Sequence, residues 1–247
     1  MIKNYQAPDN LLQNKVILVT GAGSEIGRTV ALGYAAHGAT VILHGRNVAR
    51  LEAIYDEIEA NGHPQPAIIP LDFEKADDQG FAGLAGSIGL QLKRLDGIVH
   101  NAASTLTPMP MELNSMEDWL RLLRVNLAAP AVLTRACLPL LKEAPYASVI
   151  FTGESHGHSP TAFWGAYATS KAGLETITQI WAQELENLHP SIRINTLIPG
   201  PVNCMSRRKT HPGEDHSQLP QPADILPAYL YLMSEESAHI KGQCILL

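Results

Sequence analysis

The sequence predicts a doubly wound α/β fold, a mostly parallel sheet of about seven strands with helices on both faces. Three observations predict it. Short apolar, often β-branched runs alternate with helix-length stretches from one end of the chain to the other, and strands separated by helices make a parallel sheet buried on both sides. A glycine-rich turn, Gly21 to Gly27, stands between the first such run and the first helical pattern. No linker, low-complexity stretch or internal repeat divides the 247 residues, so residues 1–247 read as one domain.

Val16 to Val19 is a buried strand stopped by Gly21. Ile26, Val30, Tyr34 and Ala35 then recur at helical spacing until Gly38, a plausible helix stop. Thr40 to Leu43 is the second strand, and Val48 to Ala60 a helix ended by Asn61-Gly62. Ala67 to Leu71 is the third strand, followed by a helix from Asp77 to about Lys93. The alternation continues through the strand Gly97 to His100, the long helical region Met116 to Lys142, and the strand Ser148 to Phe151. A helix from Tyr167 to Leu188, the strand Ile192 to Ile198, a helix from Pro222 to Met233 and the strand Gln243 to Leu247 complete it. Residues 205–221 stand apart, polar, with His and Pro, and long for a loop. Such an insert lids a site or stays disordered, and the composition fits both.

Composition excludes several classes. The net charge of -6, with no basic block, argues against nucleic acid as a partner. Arg207, Arg208 and Lys209 form the only basic run and read as a solvated loop. Cys137, Cys204 and Cys244 are odd in number and lack metal-ligand spacing, which points to reduced thiols in a cytoplasmic protein. The first 15 residues lack the apolar core of a signal peptide. No apolar run approaches the roughly 20 residues that cross a bilayer, so no membrane partner is expected.

The chemistry centres on Tyr167 and Lys171, four apart at the start of a helix and therefore on one face of it. A lysine ammonium one turn from a phenol stabilises the phenolate and draws the tyrosine pKa down. A phenol tuned in that way exchanges a proton with an alcohol or carbonyl oxygen. The turn Thr20-Gly21-Ala22-Gly23-Ser24-Glu25-Ile26-Gly27 has the place and composition of a pyrophosphate cradle, in which glycines let the backbone approach and the helix N-terminus receives the charge.

With these residues the chain resembles the short-chain dehydrogenase/reductase family over essentially its whole length, and its fold is expected to be of the Rossmann kind. Thr20, Gly21 and Gly27 match the family's TGxxxGxG turn, with Gly23, Ser24, Glu25 and Ile26 between them. Asp72 matches an acidic residue that contacts the adenine, and Asn101-Ala102-Ala103 resembles the Asn-Ala-Gly after the fourth strand. Asn126 matches the asparagine of the proton relay, Tyr167 and Lys171 match YxxxK, and Pro199-Gly200, with Val202 beyond, matches the turn after the sixth strand. The resemblance implies a nicotinamide-dependent oxidoreductase that interconverts a ketone or aldehyde and a secondary alcohol. In it Tyr167 is the general acid/base, Lys171 binds the nicotinamide ribose and tunes Tyr167, and Asn126 links the relay to water.

The cofactor choice follows from the end of the second strand, where enzymes of this fold that use NAD place a carboxylate about 20 residues after the glycine turn. Here Gly45 and Arg46 stand there. A guanidinium holds a 2′-phosphate bidentately, so NADP is favoured over NAD.

Three positions depart from the family pattern. Glu25 replaces the middle glycine and would repel a pyrophosphate unless it turns outward or pairs with Arg28. Glu154 stands 13 residues before Tyr167, where the family's catalytic serine lies, and an ionised carboxylate there cannot donate to a substrate oxygen. It would also raise the tyrosine pKa and draw on the lysine's charge. Ser155 could supply the hydroxyl if the loop re-registers. Cys204 stands where many relatives carry a threonine near the nicotinamide amide.

His156 and His158 flank Gly157, but no third ligand at metal spacing accompanies them, and no metal is expected. They read instead as histidines at a substrate mouth, with Phe163, Trp164, Met109 and Met111 giving it an apolar character. The resemblance further implies a homodimer or homotetramer built on the long helices. Ile177 and Trp181 suit either that interface or the sheet. The rival reading is a non-catalytic dinucleotide-binding or scaffold protein, which Glu25 and Glu154 support and the retained Asn126, Tyr167 and Lys171 oppose.

Overall fold

The computed structural model describes residues 2–247. Seven parallel strands form one sheet in the order β3-β2-β1-β4-β5-β6-β7: β1 (Val16–Thr20), β2 (Thr40–His44), β3 (Ala67–Ile68), β4 (Gly97–His100), β5 (Ala147–Thr152), β6 (Ile192–Ile198) and β7 (Cys244–Leu246). The chain winds outward from β1 in one direction and returns to β4 to wind in the other. The crevice between β1 and β4 is therefore the switch point at which such sheets bind ligands.

The helices between strands are α1 (Glu25–Ala36), α2 (Val48–Ala60), α3 (Asp78–Leu92), α4 (Met116–Leu123), α5 (Ala129–Lys142), the single turn α6 (Ser155–His158), α7 (Gly165–Glu186), α8 (Met205–Thr210) and α9 (Pro222–Met233). Their starts are written in the sequence as side-chain caps: Ser24, Asn47, Asp77 and Ser115 each accept from a first-turn N–H. Gln221 and Asp224 form a reciprocal capping box at α9.

Because successive strand residues face opposite ways, the sheet carries two cores. Ile17, Val19, Val41, Leu43 and Leu197 pack with Val30, Tyr34 and Tyr229 on one side. Leu18, Ile42, Ile98, Val149 and Ile194 pack with Phe81, Ile88 and Leu133 on the other. Ile177 and Trp181 belong to the second side, against the sheet, while Ile180 between them is exposed.

Four expectations change. The third strand pairs over Ala67–Ile68 alone, since Pro70 in the run has no N–H for the ladder. The region Met116–Lys142 is interrupted by a π-helical turn, Arg124–Ala128, that swings Asn126 inward. The helix expected from Tyr167 starts two residues earlier, at Gly165. Residues 205–221 are not irregular throughout, for α8 and a 3₁₀ turn (His216–Gln218) occupy part of them.

Candidate active site

A cleft of about 650 Å³ opens at the carboxyl ends of β1, β2, β4, β5 and β6. Its floor is the glycine turn. Thr20 Oγ1 donates to the Val99 carbonyl and accepts from the N–H groups of Asn101 and Ala102, at 3.1 Å each. The Asn101 amide donates to the Gly21 carbonyl (3.2 Å) and to Ser24 Oγ (3.0 Å). Gly21 adopts φ +65°, and a Cβ there would lie 2.8 Å from Ala102 Cα. A Cβ on Gly27 would lie 2.1 Å from the Gly21 carbonyl oxygen. Turn and neighbouring strand thus fit only with glycine at both positions.

Gly21, Gly23, Ser24, Glu25, Ile26, Arg46, Asp72, Asn101, Ala102, Ala103, Glu154, Tyr167, Lys171, Pro199, Gly200 and Val202 all line the cleft. Gly27 lies behind the turn and shapes it. Arg46 is exposed at the rim, 4.0 Å from Glu74, and Asp72 accepts the Glu74 N–H at 3.1 Å. Asn126 is buried behind the wall, where its amide donates to the Ser104 carbonyl (2.9 Å) and Ser170 Oγ (3.0 Å) and accepts the Ser104 N–H (2.7 Å).

Ser155 does not reach the cleft. It opens α6, and its carbonyl accepts the Ser159 N–H; the turn of helix fixes Glu154 as the residue that faces inward. The Tyr167 hydroxyl donates to Glu154 Oε2 at 3.3 Å. Lys171 Nζ donates to the Thr152 carbonyl at 2.9 Å. The expected lowering of the tyrosine pKa is therefore reversed. Burial, and then the Glu154 charge and hydrogen bond, hold the phenol well above its ordinary value. Burial lowers Lys171 to about 8, partly offset by Glu154.

Glu25 does not pair with Arg28, which reaches Glu57 instead. Its carboxylate accepts from the Arg208 guanidinium and from the Met205 N–H, both at 2.5 Å. One acid therefore sits at the N-termini of α1 and α8 together, where helix dipoles favour it. The basic run is accordingly not a solvated loop: Arg208 is tied to Glu25, Arg207 makes two 2.7 Å bonds to Glu214, and only Lys209 is exposed. Cys204 is buried beside Ser206 (3.1 Å).

Of the histidines, His156 stacks on Trp164 at 4.1 Å between ring centroids, and His211 lies 5.4 Å from the same indole. His158 instead turns outward to Glu175 (2.9 Å). Among the described residues no cluster of three or more metal-ligating side chains occurs. Of the expected apolar mouth only Trp164 lines the cleft; Phe163 and Met111 are exposed outside it. Sequence reasoning missed Arg50, Arg207 and His211, which also line it. Arg50 was within reach, since it follows Arg46 by four residues, in the first turn of α2.

The sequence profile described as short chain dehydrogenase matches residues 15–215. The chain belongs to that family. Among relatives, this short-chain dehydrogenase is 38% identical to the oxidoreductase YciK of Escherichia coli strain K12, over 97% of this chain and 94% of that one. A short chain dehydrogenase structure from Pseudomonas syringae superposes with a TM-score of 0.95 at 42% identity, covering 98% of both chains. Another from Shigella flexneri 2a strain 301, complexed with NADP, gives 0.93 at 37% identity over 97% of this chain and 99% of that one. Glu25 and Glu154, the two acids that the resemblance set apart, are both hydrogen-bonded in the structure.

Proposed function

We propose that this protein is an NADP(H)-dependent oxidoreductase that transfers hydride to or from a carbonyl-type carbon of a small molecule. The observation that carries the reading is the cleft itself, in which a glycine cradle at the sheet's switch point continues into the buried Tyr167 and Lys171. The residues fit a dinucleotide. Gly21, Gly23 and the N-terminus of α1 suit a pyrophosphate. Gly45, Arg46 and Arg50, beside the Asn47-capped start of α2, suit a 2′-phosphate, and no carboxylate stands at the end of β2 to repel it. The Shigella flexneri relative solved with NADP supports the same choice.

When bound, the nicotinamide supplies or accepts the hydride. The protein's part is positional and protonic. Tyr167 exchanges a proton with the substrate, Lys171 holds the nicotinamide ribose, and Asn126 supports the relay from the π-turn. Glu154 accepts from Tyr167 where a serine would donate to a substrate oxygen, so ordinary ketones should turn over slowly, since losing such a donor costs about 10²–10³ in rate. A scaffold without catalysis leaves the buried Lys171 and the bonded Asn126 without a use.

Exposed Met116, Leu120 and Ile180 on α4 and α7 supply an apolar face for a homodimer or homotetramer. Among the described residues no helix is long and apolar enough to cross a membrane. Fluorescence titration with NADPH and NADH tests the cofactor reading. Binding of NADPH about tenfold or more tighter than NADH, with the preference lost in Arg46→Ala/Arg50→Ala, is expected from two phosphate-facing cations. Equal affinities, or no binding of either, would overturn it.

A further inference from the structure

The substrate end of the cleft is unusual in its charge. Glu154 accepts from Tyr167, and among the described residues it has no ion-pair partner within the 4.0 Å that defines one. The nearby cations feel its charge without bonding to it: Lys171 donates to the Thr152 carbonyl and Arg207 to both oxygens of Glu214. His156 and His211 are nearby, but burial holds both imidazoles below their ordinary value, toward the neutral form. Beside the carboxylate, Trp164 lines the cleft, tilted against Tyr167 with centroids 5.5 Å apart. A carboxylate with no directly bonded cation, next to an indole and a phenol, is the chemistry that receives an organic cation, by a charge-assisted hydrogen bond and by the ring faces.

We propose that Glu154 makes this cleft a site for the reduction of protonated imines, C=N–H⁺, to secondary amines, in preference to ketones of the same size. The proposal rests on the hydride-transfer reading above and deepens it. Hydride addition to a ketone builds negative charge on an oxygen that would face the Glu154 carboxylate, and that transition state is disfavoured. With an iminium the order of charges is favourable. The carboxylate accepts the N–H and keeps the imine protonated, because a nearby opposite charge favours the charged form. NADPH gives a hydride to the iminium carbon, the C=N π pair moves onto nitrogen, and a neutral secondary amine and NADP⁺ result. No proton moves in that step. Tyr167 then serves through the bond it makes, fixing the carboxylate, rather than as a proton donor. Its raised pKa, a handicap for carbonyl reduction, costs nothing here.

The test uses the whole protein, first shown to bind NADPH. Turnover with NADPH would be measured for 2-methyl-1-pyrroline and 3,4-dihydroisoquinoline against cyclopentanone and 1-tetralone. Binding of 2-methylpyrrolidine and of cyclopentanol to the NADP⁺-loaded enzyme would be measured by calorimetry. Expected are a kcat/KM for imines above that for ketones by about 10² or more, the range one well-placed electrostatic partner supplies. Amine binding should fall about tenfold or more in Glu154→Gln, and Glu154→Ser should shift preference toward ketones. Ketones reduced faster than imines overturn the proposal, as do imine turnover unchanged in Glu154→Gln and an enzyme that binds NADPH but neither amine nor imine. Failure to bind NADPH would instead remove the hydride reading itself.

Discussion

Glu25 and Arg208, 183 residues apart in sequence, meet at 2.5 Å and fasten the first turn of α1 to α8. Glu25 brings an acid to the glycine turn, and the segment over the cleft supplies the base that neutralises it. Arg208 also donates to Asn203 Oδ1 at 2.5 Å, so the guanidinium is held from two sides. The acid at the glycine turn and the helix beside it form one unit.

Arg208→Ala should therefore leave Glu25 unpaired at the cradle and weaken NADPH binding about tenfold, the effect of one uncompensated like charge. In a Glu25→Gln background the same change should cost less than about threefold, the non-additivity expected of contacting residues. Both side chains are more than a third exposed, so folding stability should move by less than about 1 kcal/mol. Titrations of the four proteins in a double-mutant cycle check this, and additive losses would separate the two residues.

Glycines give a paired prediction. Gly27→Ala places a Cβ against the Gly21 carbonyl oxygen, which is backbone and cannot step aside. A loss of about 2–4 kcal/mol is expected, the size of a severe steric insult. Gly83→Ala, in α3 with nothing within 4 Å of the new Cβ, should instead gain up to about 1 kcal/mol from helix propensity. Urea unfolding of the two variants measures both signs, and a neutral Gly27→Ala would mean that the turn relaxes.

The alternation of strands and helices and most of the cleft-lining residues were legible because each depends on local pattern: β-branched runs, glycines at a strand end, and Tyr167 and Lys171 one helical turn apart. The partners of charges were not. Arg28 is the natural mate for Glu25 by helical spacing, yet Glu57 takes it, and Glu25 bonds across to α8. In the same way Lys171 lies one turn from Tyr167, but a hydrogen bond to the Thr152 carbonyl holds its ammonium. Proximity in sequence limited the choice of pairs without deciding it. The π-turn that buries Asn126 has no signal of its own, and the bonds that hold Asn126 there, to Ser104 and Ser170, are tertiary.

His44, buried at the end of β2 and stacked on Phe73 at 4.5 Å, predicts acid sensitivity. Burial lowers its pKa from 6.5 to about 4. Between those values the unfolded chain binds a proton that the folded one refuses, so stability falls as pH drops through that window, by about 1.4 kcal/mol per unit. From pH 7 to 5, His44→Leu should lose about 2 kcal/mol less than the parent in urea unfolding. His100, lowered to about 3 by burial and then by the His44 charge, stays neutral in the folded state between pH 7 and 5 with or without His44, so its contribution cancels in the comparison. Parallel losses in the two would show that His44 is not held neutral.

Lys171 gives the opposite end of the pH scale. Its ammonium is buried and its pKa lies near 8 rather than 10.5. Below pH 8 folded and unfolded chains are both protonated there, and the cost of burying the charge is felt in full. Between about 8 and 10.5 the unfolded chain still holds the proton while the folded one has released it, so the parent gains stability with rising pH, by a total on the order of 3 kcal/mol. Above 10.5 nothing more changes at this site. Lys171→Met has no such group. Its stability minus that of the parent should thus be highest below pH 8 and fall by about 3 kcal/mol on the way to pH 10.5, whatever offset the lost bond to Thr152 adds. Tyr167 and Cys137 also titrate at alkaline pH, but they are present in both proteins. Chemical denaturation of the pair at half-unit intervals from pH 7 to 10.5 measures the difference. A flat difference would mean that the folded protein keeps Lys171 charged throughout, with Glu154 offsetting the burial completely.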